Sequence, residues 1–292
     1  MLLSRAITRL SPAAVLAVLT ATAAMASGNP LPPAKHGSQV NARQLVREVV
    51  QNEIREQNAK PIYWNYVEIE TENGVKKFFE VYETKTGTVK RLLAVGGKPL
   101  SPAENRLQDA QLEKILDHPS LARKAARERD QDGENGKKLM AMLPNAFLFQ
   151  YDGRVGDLVR LRFRPNPRFH PPTSEAVVFH HMQGHLLVDP RQKRLAEADG
   201  RLTSEVKFWW GLLGHLDKGG TFLVKQSDIG GENWKLTRLR VSMKGKVLFF
   251  KTVGVQENER LEDYRENPAG MTLRQAVRQL EKATLPKQPA AE

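Results

Sequence analysis

The residues of this chain with the clearest chemical potential lie in the run His180-His181-Met182-Gln183-Gly184-His185, followed by Asp189. Neutral imidazoles suit Zn or Cu, and a carboxylate adds an oxygen ligand. On a strand, however, His180 and His181 point to opposite faces. Only a turn or bulge at Met182-Gln183-Gly184 would bring His181 to His185. A third ligand would have to come from a distant residue such as His170, His215 or Asp189. Two ligands hold a metal weakly, so the expectation is no metal and no metal-dependent hydrolysis.

Other routes to catalysis find little support. Cysteine is absent, which removes thiol nucleophiles, thiolate ligands, disulfides and lipoprotein acylation. No Gly-x-Ser-x-Gly elbow, phosphate-binding loop or dinucleotide glycine motif occurs. Glu68, Glu70, Glu80 and Glu83 fall on predicted strands, where a glycosidase-like carboxylate pair is conceivable but not dictated by spacing. The expectation is a non-enzyme without cofactors.

Binding chemistry is better represented. Phe78-Phe79, Trp209-Trp210 and Phe249-Phe250 are adjacent aromatic pairs. On regular strands each pair puts a large apolar group on both faces of a sheet. One face packs on helices; the other needs a ligand, a partner, a bilayer or a second layer. Trp64, Phe79, Phe163, Phe179, Trp210 and Phe249 are the candidate cavity residues, chosen by alternation and size. Arg160, Arg162 and Arg164 alternate with Val159, Leu161 and Phe163, and could hold anionic headgroups. Arg238 and Arg240 could extend that row. The alternative is a charged, solvated outer face.

The N-terminus sets the expected compartment. Arg5 and Arg9 precede an apolar run from Leu10 to about Met25, which ends in Ala24-Met25-Ala26. This is the pattern of a cleaved secretory signal peptide over residues 1–26, short for a membrane span. The chain has 292 residues and a formal charge of +12, which falls by two if Arg5 and Arg9 leave. A basic exported protein meets anionic lipid and wall polymers rather than nucleic acid. Periplasmic localisation is the expectation.

These residues need a scaffold, and the pattern predicts one. Residues 27–37 read as a Pro-containing linker, and Ser38 as the cap of a helix to about Asn58. Strands follow at about 62–71, 75–84 and 88–95, with an Asn73-Gly74 hairpin. Ser101-Pro102-Ala103-Glu104 has the form of a capping box, opening a helical insertion at about 101–145. Within it, helical stretches at about 120–130 and 134–143 are separated by a break at Asp130-Gln131-Asp132-Gly133. Further strands are predicted at about 157–164, 174–189, 193–200, 203–213, 220–228, 233–243 and 246–254. Gly219-Gly220 and Lys244-Gly245 read as hairpin turns. Thr272 caps a last helix at about 272–283, and 284–292 reads as a disordered tail. The expected fold is α+β: one domain over 38–283, a curved antiparallel half-barrel sheet with helices across its concave face.

Particular stretches carry a resemblance. They are Asn52-Glu53-Ile54 to Tyr63-Trp64-Asn65-Tyr66, Gly184-His185-Leu186-Leu187-Val188-Asp189 into Arg194-Leu195, Gly219-Gly220-Thr221-Phe222-Leu223-Val224, and the Trp234 to Phe250 hairpin. In this order they resemble the LolA/LolB/RseB-like half-barrel periplasmic proteins, which carry lipoproteins or sense envelope stress. Arg91 to Ser101 looks like a segment of uncharacterised secreted bacterial proteins. The resemblance implies an apolar cavity for a lipid, a lipoprotein acyl chain or another amphipathic ligand. Implied partners are a lipid or acylated protein, an anionic membrane at the periphery, or an envelope protein bound as by a sensor module. The 101–145 insertion departs from the simple carrier pattern.

Overall fold

A computed structural model describes residues 36–208, 214–247 and 251–285. The proposed signal peptide, most of the proposed linker, the proposed tail from Pro286, Trp209, Trp210, Phe249 and Phe250 lie outside the described residues. The chain is α+β, with thirteen strands in an antiparallel sheet and four α-helices among the described residues.

The residues cluster into two compact units, each discontinuous in sequence. The first contains residues 60–130 and 257–285, and the second 36–59 and 131–256.

In the first unit, β1 (Trp64–Glu72), β2 (Val75–Thr84) and β3 (Gly87–Val95) form the expected meander, with a short β4 (Lys98–Pro99) at its edge. Asn73 and Gly74 both have positive φ, 51° and 79°, as a tight two-residue hairpin requires. β1 also pairs with β13 (Lys251–Glu266), whose latter part belongs here. Two whole helices complete the unit, beside the first part of α3 (Pro119–Ala146). α1 (His36–Asn58) belongs to the other unit, so these are α2 (Pro102–Asp117) and α4 (Leu273–Glu281). The Ser101–Glu104 capping box is formed, and Thr272–Gln275 makes a second one on α4. α4 buries Ala276, Val277 and Leu280 beside Val89 and Leu112.

In the second unit, hydrogen bonding orders the strands β12-β11-β8-β7-β6-β5, where β5 is Phe147–Val155, β6 Leu158–Pro165, β7 Met182–Asp189, β8 Arg194–Leu202, β11 Thr221–Asp228 and β12 Trp234–Val247. Short strands β9 (Val206–Phe208) and β10 (Gly214–Leu216) pair beside β12. α1 packs on β5 and β8. The apolar layer between them includes Val46, Val50, Phe147, Phe149, Leu161, Phe163, Phe179, Leu202, Phe222 and Val241.

Several local expectations are corrected. α1 begins at His36, so His36 and Gly37 are helical and Ser38 is not its cap. The break at 130–133 does not occur: α3 runs unbroken from Pro119 to Ala146. The two mid-helix glycines, Gly133 and Gly136, each cost about 1 kcal/mol relative to alanine. The ion pairs Lys124–Glu128 and Glu134–Lys137, with burial of Leu139, oppose that cost. Residues 175–181 form a 3-10 helix rather than a strand, and the strand starts only at Met182. Lys244-Gly245 is not a turn but lies within β12. A Cβ at Gly245 would sit 2.0 Å from the His215 carbonyl oxygen, so glycine serves close approach of β10 there.

Candidate functional site

Period-two alternation on β6 is realised in full. Val159, Leu161 and Phe163 are buried, while Arg160, Arg162 and Arg164 project from the opposite face. Cross-strand register sets Arg162 beside His185 on β7, His185 beside Asp199 on β8, and Arg240 on β12 beside Leu223 on β11. The row is therefore mixed in sign. Asp152 of β5 lies 3.5 Å from Arg160 Nε and 3.6 Å from an Arg162 terminal nitrogen. It also lies 3.7 Å from His185 Nε2, whose Nδ1 faces Asp199 at 3.5 Å. Arg164 makes no ion pair among the described residues.

Of the aromatic candidates, Phe163 and Phe179 share one core. Phe147 contacts both edge-on, with ring centroids 4.9 and 5.3 Å apart. Phe179 reaches this core from the 3-10 helix, not from a strand. Trp64 and Phe79 belong to the first unit, and Trp210 and Phe249 lie outside the described residues. Trp64 is buried with its ring edge toward Tyr264, while Phe79 is half-buried beneath the Lys90 ammonium at 4.0 Å.

The apolar layer of the second unit is bordered on its helical side by half-buried side chains. Leu45 and Ile54 of α1, with Met140, Met142 and Leu143 of α3, pack against the core while remaining partly exposed. Methionine adapts its shape to what it touches, so this side can repack around an apolar guest.

The histidine run does not converge. Met182-Gln183-Gly184 is strand, which separates His181 from His185. His181 ends the 3-10 helix, buried, with Nδ1 2.6 Å from Ser204 Oγ. Burial, and secondarily the neighbouring His180, hold its imidazole below the usual histidine range. Burial likewise lowers His180, which lies beside the Phe169 ring.

Carboxylates gather where spacing alone did not place them. Glu68, Glu70 and Glu259 bring ligand oxygens within 4.8 Å of one another. Glu68 is fully buried, and Lys90 Nζ lies 2.6 Å from Glu70 and 3.7 Å from Glu68. Such an all-oxygen set matches hard cations such as Mg or Ca. Glu259 stands opposite Glu70 across the β1–β13 pair, a relationship of register that local sequence does not carry.

No protein-family model matches the chain, and no curated relative or solved structure matches it significantly. No helix among the described residues is long and apolar enough to cross a membrane.

Proposed function

We propose that this is an exported, non-catalytic binding protein for a lipid, a lipoprotein acyl chain or a similar amphipathic ligand, acting in the periplasm. The observation that carries the reading is the partly exposed cover of the second unit's core. Leu45, Ile54, Met140, Met142 and Leu143 lie over an aromatic sheet face without being sealed in. An acyl chain displacing water from such a cover gains about 0.8 kcal/mol per buried methylene. Arg164, exposed on the opposite face of the same sheet, with Arg160 and Arg162, offers secondary contact with anionic headgroups. The signal-peptide pattern and the LolA/LolB/RseB-like order of elements support the same assignment.

The test uses a fluorescent polyene fatty acid. Saturable binding, weakened at least tenfold by Met142→Glu, is expected. Phe163→Leu lowers thermal stability while leaving affinity within about threefold, because Phe163 is core. No binding by protein that is folded and stripped of copurified lipid contradicts the proposal.

A second reading, an envelope interaction or sensor module, has one observation in its favour. Leu107 on α2, within the insertion, is 63% exposed, where an apolar side chain fits a protein partner. Crosslinking from position 107 in cells separates the readings: a specific protein adduct supports the sensor module, and its absence removes that support.

A further inference from the structure

The first unit contains an open cavity of about 300 Å³ at the C-terminal end of α4, at the lower limit of small-ligand sites. Its lining includes Asn65, Glu80, Tyr82, Asp263, Arg265 and Lys282. Three independent features mark it as built rather than incidental.

The first is backbone strain. Asp263 has φ +56°, the left-handed region, inside the 16-residue strand β13. Register explains how: Asn65 pairs with Arg265 but Val67 with Glu262, so Asp263 and Tyr264 together oppose Tyr66. This β-bulge re-aims the strand at the cavity, and a non-glycine residue is held in the strained position.

The second is an amide of fixed orientation. Asn267 Nδ2 donates to the Glu83 carbonyl oxygen at 2.9 Å, which turns Asn267 Oδ1 toward Asn65. Asn65 Nδ2 donates to that oxygen at 2.8 Å. The Asn65 amide, only 9% exposed, is thereby held in one orientation in the cavity lining.

The third is balanced charge. Two carboxyl groups face two cations, and Glu80 is already attracted to Arg265. Burial raises the Glu80 carboxyl, so Glu80 keeps its proton more readily than an open carboxylate, and Tyr82 hydrogen-bonds with it. A strongly anionic or cationic guest gains little from such a lining. A neutral guest with many hydroxyls gains from each of Asn65, Glu80, Asp263 and Arg265, whose planar groups match adjacent ring hydroxyls.

We infer that this cavity binds one unit of a neutral saccharide, with Asn65, Asp263 and Arg265 contacting its hydroxyls. The site is separate from the acyl-binding surface proposed above and does not depend on it.

Titration of the full chain with chitotriose, cellotriose and maltotriose, followed by saturation-transfer NMR, tests this. At least one should bind saturably, with transfer to its ring protons. Asp263→Gly should weaken that binding at least tenfold and raise the melting temperature, because glycine adopts positive φ without strain. Gln279→Ala, at the exposed rim, provides a second variant that should weaken binding without touching the bulge. Failure of all three sugars to bind, binding unchanged in both variants, or preferential binding of glycylglycine as a zwitterion would overturn the inference.

Discussion

Arg194 of β8 and Glu53 of α1 form an ion pair with Nε and Oε1 3.0 Å apart, and each residue is only 9% exposed. Glu56, one turn along the helix, also meets the Arg194 guanidinium. Around this pair, Asn52 Nδ2 donates to the carbonyls of Gln192 and Lys193, and Trp234 Nε1 donates to Gln192 Oε1 at 2.6 Å. The cluster seats the last turns of α1 on the second unit's sheet.

Breaking one half of this pair strands the other charge in the interior. Arg194→Ala should cost about 3–5 kcal/mol. Replacing both partners, as Glu53→Leu with Arg194→Met, should recover more than half of that loss. Urea unfolding of the two variants beside the native chain measures both effects, and equal destabilisation by the single and double changes would refute this role.

Glu53 also gives a pH dependence of definite sign. Desolvation raises its carboxyl above the usual value of 4.5, outweighing the attraction of Arg194. A raised folded-state value means that the proton stabilises the fold. That contribution is complete below 4.5 and is lost as pH rises through the folded value. Relative to Glu53→Gln, the native chain should therefore lose stability as pH climbs from 4 through this window. A constant difference across the series would contradict the assignment.

His181 predicts the opposite slope on the acid side. Its folded value lies below 6.5, so its contribution is complete above 6.5 and is lost as pH falls through the folded value. His181→Gln should flatten the loss of melting temperature in that window. Ser204→Ala should cost about 1 kcal/mol at pH 8 by removing the hydrogen bond to Nδ1.

Gly245 offers a geometric test. Gly245→Val places a branched side chain where the β10 backbone runs, and should cost about 1–3 kcal/mol as overpacking. Hydrogen exchange should report the loss first at Leu216, its partner across the ladder. Unchanged protection at Leu216 would argue against the β10–β12 pairing.

Local rules carried much of this architecture. Asn73-Gly74, the Ser101–Glu104 box and the Arg160 to Phe163 alternation each act over a few residues, and each appears as the sequence predicts. The failures arise where distant contacts decide. Gly245 resembles a turn residue until β10 is placed beside it, and Gly133 resembles a break until Leu139 is buried beyond it. Phe179 reads from its size and alternation as a cavity residue on a strand, but it is buried in the core from a 3-10 helix. The Glu68–Glu70–Glu259 group and the Asp263 bulge depend on the pairing of β1 with β13, and neither segment announces its partner.

The proposed amphipathic ligand would be held in the apolar second unit of the native chain. Native mass spectrometry of protein purified from its native cells, without detergent, tests this most directly. The account predicts a bound species of lipid mass, released on collisional activation and reduced in the Met142→Glu variant. A spectrum of the bare polypeptide alone, from protein that also fails to take up added fatty acid, would contradict it.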